Sequence, residues 1–207
     1  MTISIVRLVL AAAAGAAFVS VAGCDNREPK PTVASVLGIA SAHAQQADLV
    51  VPPEAITGAM APVDEAFARF AASSNLAQVE AARLVVQATR SEDVRAYAQR
   101  IMRDHAHGGE QLSRIVKAHG LKLATAPTGR HADLVTKLSG VAARDLDEAF
   151  LQRFGRDAHK EAIALYERHV ADGRNAALKR YAEATLPLLR EHLLAANKLL
   201  DAASASR

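Results

Sequence analysis

The chain has 207 residues, a length that fits one domain with appended segments. Half of its residues are hydrophobic, 4% are aromatic and none is tryptophan. This balance favours long helices packed through small and aliphatic side chains, and it disfavours a β-sandwich. The formal net charge of +3, with acidic and basic residues interleaved, excludes the basic stripe of a nucleic-acid-binding protein, so no nucleic-acid partner is expected.

The N-terminal segment has the features of an export signal. Arg7 precedes an apolar run from Leu8 to Gly23, which is as long as the hydrophobic region of a signal peptide and shorter than the about 20 residues of a transmembrane helix. The run ends in Val21-Ala22-Gly23-Cys24. This motif resembles the lipobox of bacterial lipoproteins, in which small residues precede a cysteine that is acylated and becomes the mature N-terminus. The resemblance implies a lipid on Cys24, a membrane partner through that anchor, and localisation in the bacterial periplasm or cell envelope.

Two alternatives for this segment stay open. Ala42-His43-Ala44 resembles an ordinary cleavage site, although the charged, proline-containing residues 25–31 separate it from the main apolar run. The other alternative is an uncleaved apolar anchor. All three interpretations place the domain outside the cytoplasm. We therefore predict a signal peptide at 1–23, a polar tether without a core at 24–58, a helical domain at 59–203 and a tail at 204–207.

Four long amphipathic segments follow the tether, each with apolar residues at three- and four-residue steps. Their predicted limits are about 60–89, 91–120, 145–173 and 175–203. The connection between the second and third segments holds Leu134 and Leu138, which predict a short helical turn. Helices of this length need partners to bury their apolar stripes. The sequence therefore predicts an all-α fold, an antiparallel four-helix bundle.

Three of the eight histidines lie on the predicted inner faces of three different helices. At 1.5 Å per residue, the levels of His105, His159 and His192 along the bundle differ by less than about 8 Å, so their side chains can meet. Gln78 and Glu80 on the first helix approach the same level. Imidazoles with one carboxylate or amide suit Fe, Zn, Cu or Mn. The predicted metal ligands are His105, His159, His192, Glu80 and Gln78.

Carboxylates stand beside each of these histidines in the sequence, namely Asp104, Asp157 and Glu191. They are candidates for further ligands or for groups that fix the imidazole tautomers. The alternative is that each histidine is a buried polar residue paired with a carboxylate, with no metal. Of the other histidines, we expect His169 to point inward without a carboxylate partner. We expect the rest to face solvent: His43, His107, His119 and His131.

Four stretches in order resemble the domain-of-unknown-function family numbered 4142, a ferritin-like family of exported bacterial proteins. The stretches run from Phe70 to Glu80, Met102 to His105, Asp157 to His159 and Leu186 to His192. The resemblance covers roughly residues 61–200. It implies a ferritin-like four-helix bundle, and it supplies no activity.

The same resemblance also limits the metal chemistry. Di-iron proteins of the ferritin-like kind carry Glu-x-x-His on two helices. Here Met102 and Leu189 stand three residues before His105 and His192, so we expect at most a single metal ion and no di-iron centre. No nucleophile, cofactor motif or cleft indicates catalysis, and no catalytic residue is predicted. We expect a lipid-anchored envelope protein in a stress or metal-handling role; the alternative is a structural or interaction module without metal.

Overall fold

The computed structural model of the protein describes residues 59–205. These residues belong to one compact unit, Ala44–Arg207. The predicted signal peptide, Cys24, the tether and His43 lie outside the described residues. No helix within 59–205 is long and apolar enough to cross a membrane.

All elements of the described chain are helices, as the sequence predicted. In chain order they are α1 (Pro62–Ala88), α2 (Glu92–Lys117), α3 (Arg130–Ser139), α4 (Leu146–Phe150), a π-helical segment (Leu151–Asp157), α5 (Ala158–Asp172) and α6 (Ala176–Ala205). The π segment joins α4 to α5 without a break, and these three elements form one rod, called the third rod below. The four rods of the bundle are therefore α1, α2, the third rod and α6.

A proline and two capping side chains mark where the rods begin. Pro62 occupies the first turn of α1, where a missing N–H costs no helical hydrogen bond. The Ser91 hydroxyl accepts a hydrogen bond of 3.3 Å from the Val94 N–H at the start of α2. At the start of α6 the Asn175 side chain accepts one of 3.0 Å from the Leu178 N–H. The α1–α2 and α5–α6 connections are therefore short and capped, which holds each pair of rods antiparallel.

The apolar interior consists of two clusters stacked along the bundle. The first is built around residues such as Phe67, Leu112 and Tyr181. The second is built around residues such as Ile101 and Phe154. Between them, the positions on α2, the third rod and α6 that face the interior are histidines. The apolar stripes thus hold the rods together on both sides of a buried polar layer.

The connection between α2 and the third rod is more ordered than predicted. Instead of a short turn it contains α3, a helix of ten residues whose Leu138 is buried in the second cluster. The expectation that His131 faces solvent is wrong. Its ring packs edge-on against Phe70 with 4.9 Å between centroids, and its Nδ1 lies 3.0 Å from the Ser73 hydroxyl. The physical reason is that α3, which carries His131, folds back over α1, so that Phe70 and Ser73 of α1 cover the ring.

Candidate metal site

Three buried histidine rings face one another in the polar layer. His105 comes from α2, His159 from the third rod and His192 from α6. The ring centroids are 5.2 to 5.5 Å apart, which makes the triangle nearly equilateral. One ring nitrogen from each histidine lies within 4.8 Å of the other two. We call these three residues the histidine triad.

Each ring of the triad uses its outward nitrogen to donate a hydrogen bond. His105 Nδ1 lies 2.8 Å from Asn75 Oδ1. His159 Nδ1 lies 2.7 Å from the Phe154 carbonyl oxygen, and His192 Nε2 lies 2.8 Å from Asp104 Oδ2. Because a neutral imidazole carries one N–H, the inward nitrogens then present lone pairs. Three hydrogen-bond acceptors therefore fix the tautomers so that three lone pairs point at one centre.

Two of the three distances between the inward nitrogens match those around a bound ion. His105 Nε2 and His159 Nε2 are 3.4 Å apart, and His159 Nε2 and His192 Nδ1 are 3.2 Å apart. Nitrogens bound to a tetrahedral ion at about 2.0–2.1 Å stand about 3.3 Å from one another. Metal-binding histidines also donate their other N–H to a carboxylate, a backbone carbonyl or water. Two of the three acceptors here are of these kinds.

The π segment positions His159. In a regular α-helix the Phe154 carbonyl would accept from the N–H of Ala158. Here the Ala158 N–H bonds to the carbonyl of Arg153, five residues back. The Phe154 carbonyl is left for side chains and accepts from His159 Nδ1 and, over 3.1 Å, from Gln78 Nε2. Single π turns inside α-helices frequently occur at functional sites.

Asn75 joins the triad to two buried tyrosines. Its Nδ2 donates to the Tyr181 hydroxyl over 3.3 Å, which directs its Oδ1 at His105. The Tyr181 hydroxyl lies 3.5 Å from that of Tyr166. Burial raises the pKa of both phenols, so they stay protonated. The third tyrosine of the chain, Tyr97, donates to the backbone carbonyl of His192 over 3.3 Å, so every tyrosine touches this network.

Asp104 and Arg100 complete the network at the surface. The Arg100 guanidinium lies 3.4 Å from Asp104 and 2.6 Å from Glu191. Partial burial acts to raise the pKa of Asp104, but the hydrogen bond from His192, together with Arg100, lowers it overall. The carboxylate is therefore ionised at neutral pH. This negative charge lies beside the triad, on the outward side of the His192 ring. Asp104 is not one of the three residues whose ligand atoms cluster at the centre.

Burial keeps two rings of the triad, His105 and His159, uncharged. Desolvation, reinforced by the neighbouring His192, lowers the pKa of His159 to about 3. Desolvation and the two other histidines lower the pKa of His105 well below its usual value. A proton is therefore disfavoured at the centre where the lone pairs meet. Deprotonated, neutral imidazole is the form that binds a metal ion.

Comparison with known protein families decides the affiliation of this chain. The model of the domain-of-unknown-function family DUF4142 matches residues 49–199. The chain belongs to this family. The resemblance seen in the sequence is thereby confirmed, and the match spans all four rods.

Other comparisons concern the fold. A crystal structure of a DUF305 fragment from Deinococcus radiodurans is similar to 70% of this DUF4142 chain and 99% of its own length, with a TM-score of 0.61 and 16% identity. At this identity the likeness shows the helical fold alone. No curated protein gives a significant match.

The residues predicted as ligands divide into three groups in this DUF4142 domain. The three histidines converge as described. Gln78 is 3% exposed and bonds to the same carbonyl as His159, while its Oε1 is buried without a hydrogen-bond partner. Glu80 is half-buried and contributes none of the three clustered ligand atoms. Of the neighbouring carboxylates, Asp104 bonds to His192 rather than to adjacent His105, and Asp157 instead pairs with Arg156 at the surface.

The sequence interpretation missed one buried pair. His169 points inward as expected, and its Nε2 lies 3.6 Å from Asp64, which is also buried. Asp64 is in the first turn of α1 and accepts a hydrogen bond of 2.9 Å from the Arg174 backbone N–H. The expectation that His169 lacks a carboxylate is therefore wrong. The partner is distant in sequence and comes close because the α5–α6 loop folds over the start of α1.

Proposed function

We propose that this protein binds one transition-metal ion through His105, His159 and His192 and serves the cell envelope in a metal-handling role. The observation that carries the proposal is the set of three inward lone pairs, each fixed by a hydrogen bond on the opposite side of its ring. In a dry interior these lone pairs repel one another, because burial disfavours the proton that would relieve them. A cation at the centre removes the repulsion.

Gln78 is the best candidate for a fourth ligand. Its Nε2 is fixed on the Phe154 carbonyl, and its Oε1 is a buried acceptor without a partner among the described residues. Leaving such an atom unpaired costs free energy, which contact with a cation or a metal-bound water would offset. Imidazole nitrogen with one amide oxygen suits Zn, Cu, Fe or Ni.

Export and lipid anchoring form the second part of the proposal. The support is the apolar run that ends in Val21-Ala22-Gly23-Cys24. A lipid on Cys24 would hold the metal-binding domain at a membrane on the periplasmic side, with residues 24–58 as a tether. Metal handling in the envelope requires no catalytic group, which agrees with the lack of a nucleophile or cofactor motif in the sequence.

Metal content tests the proposal directly. The full chain, purified without chelators and then incubated with Fe, Zn, Cu or Mn, should retain about one metal ion per chain by mass spectrometry. A variant with His105→Gln, His159→Gln and His192→Gln should retain none. The matched control is His107→Gln with His119→Gln, which removes two half-buried histidines outside the triad and should leave the metal content unchanged.

A folding control separates loss of the site from loss of the bundle. Circular dichroism should show helix in all variants, and the single variant His105→Gln tests the site if the triple variant unfolds. A bound ion must also raise the stability of the native state, by about 2.7 kcal/mol at a free concentration a hundredfold above Kd. Equal metal content in the wild type and a folded triad variant, or no metal in the wild type, would contradict the proposal.

A further inference from the structure

We infer that the metal ion reaches the triad through the seam between α2 and α6 at Asp104, and that Arg100 closes this route. The inference rests on the proposed metal site and concerns its regulation. The three groups that accept hydrogen bonds from the triad are unequally buried.

Two of these acceptors are sealed inside the bundle. Asn75 is 6% exposed and belongs to the inner face of α1, and Phe154 is 2% exposed and lies within the third rod. The third acceptor is different, because the Asp104 side chain is 26% exposed while the His192 ring that donates to it is fully buried. Asp104 is therefore the point in the hydrogen-bonded ring around the triad at which solvent meets the site.

Arg100 covers this point. Its guanidinium bridges Asp104, four residues on along α2, to Glu191 on α6. The side chains of Arg100 and Glu191 are 39% and 56% exposed, so the bridge lies in solvent and opens at low cost. When Arg100 swings away, two carboxylates from adjacent helices remain at the seam. Oxygen ligands of this kind attract divalent cations, so an incoming ion takes the place of the guanidinium.

His192 then links the surface to the centre. Its Nε2 binds the Asp104 carboxylate, and its Nδ1 faces the triad at 3.2 Å from His159. An ion that occupies Asp104 competes for the oxygen that accepts the His192 N–H. Weakening that hydrogen bond frees the ring to turn and to admit the ion to the three inward nitrogens. In this arrangement Arg100 acts as a latch, because it covers the two carboxylates until it swings away. Asp104 acts as a relay, because it receives the ion and passes it to the triad through His192.

The test is the rate of Cu²⁺ uptake by the full chain, followed by stopped-flow tyrosine emission. The chain has three tyrosines, all in contact with the network, and no tryptophan, so a paramagnetic ion at the centre quenches the emission. Arg100→Gln should accelerate uptake by about threefold or more and make the rate more sensitive to salt, because the uncovered carboxylates attract the cation. Asp104→Asn should slow uptake by about tenfold, since the relay loses its charge.

Controls keep the outcomes distinct. Arg103→Gln removes a neighbouring exposed cation that forms no ion pair within the described range and should leave the uptake rate unchanged. The triple histidine variant reports quenching by surface sites, which is subtracted. Equilibrium metal content tests the proposed metal site, whereas the association rate tests the route. Normal metal content with uptake rates equal in the wild type and both seam variants would overturn the route and leave the metal site standing; absence of metal in the wild type would overturn both.

Discussion

Burial of the histidine rings couples the stability of the metal-free protein to pH. The unfolded chain binds a proton on each histidine below about pH 6.5, whereas the folded chain resists protonation of His159 until about pH 3. The pKa of His105 is shifted in the same direction. The unfolded state therefore binds more protons in this window. The free energy of unfolding must fall as the pH falls from about 6.5 towards 3, by up to about 1.4 kcal/mol per pH unit for each such group.

Urea unfolding of metal-free protein at pH 7, 6 and 5 measures this dependence. His159→Gln removes one titrating group, so we expect a lower stability at pH 7 and a shallower decline towards pH 5, by close to one proton. Arg103→Gln, an exposed substitution on α2 that removes no histidine, should keep the wild-type slope. A His159→Gln slope equal to that of the wild type would show that His159 binds its proton equally in both states.

Residue periodicity predicted which histidines point inward, but it did not predict their partners. The inner face of a helix follows from the 100° step per residue along that helix alone. This step places His105, His159 and His192 on inner faces. Asn75 and the Phe154 carbonyl act across helices, so no single-helix pattern reveals them. The Phe154 carbonyl is free because the backbone hydrogen bonds of the π segment reach back five residues instead of four. This change hardly alters the spacing of the apolar residues, so the sequence pattern does not show it.

Among the structural elements, the π segment depends on a close approach to α6 at Gly155. A Cβ atom at this position would lie 2.7 Å from the Ala196 Cβ and 3.1 Å from the Tyr97 hydroxyl. Real Cβ atoms do not come so close, so a larger residue must push the third rod away from α6. The Tyr97 hydroxyl, which lies in this contact, also donates a hydrogen bond to the His192 carbonyl. Packing at Gly155 therefore involves all three rods that carry the triad, namely α2, the third rod and α6.

We expect Gly155→Ala to lower the free energy of unfolding by about 1–3 kcal/mol, because an added methyl overpacks a buried contact. Gly140→Ala is the matched control. Its backbone is right-handed helical, and its nearest atoms would lie at an ordinary 3.7 Å. That substitution should be neutral or stabilise by up to about 1 kcal/mol through the unfolded state. Equal unfolding midpoints for the two variants would contradict a close contact at Gly155.

The rods themselves were predictable because their apolar stripes and end signals agree. Ser91 marks the start of α2 in the sequence and caps it in the structure. The third rod has the predicted limits, although its middle is π-helical rather than α-helical. The connecting α3 was underestimated, since only Leu134 and Leu138 signal it and its stability comes from packing on α1 and the third rod.

At the scale of the whole molecule, the bundle places its polar layer between two apolar clusters. The triad therefore lies between the two apolar clusters. The sequence predicted this antiparallel all-α arrangement, since four stripes of similar length with short outer connections leave little alternative. The proposed anchor belongs to residues before 59, outside the described residues. The proposed anchor is for that reason tested separately from the metal site.

Cys24→Ser should move the protein from the membrane fraction to the soluble fraction of the bacterial cell, because the variant cannot accept the lipid chains that hold it. The full chain is expressed with its own N-terminal segment, and acylation is followed with a labelled fatty acid. Ser35→Ala, within the proposed tether, is the control and should stay membrane-bound and labelled. Sequencing of the mature N-terminus distinguishes the alternatives. A start at Gln45 would indicate ordinary cleavage after Ala44. A Cys24→Ser protein that stays in the membrane with an intact Met1 would indicate an uncleaved apolar anchor.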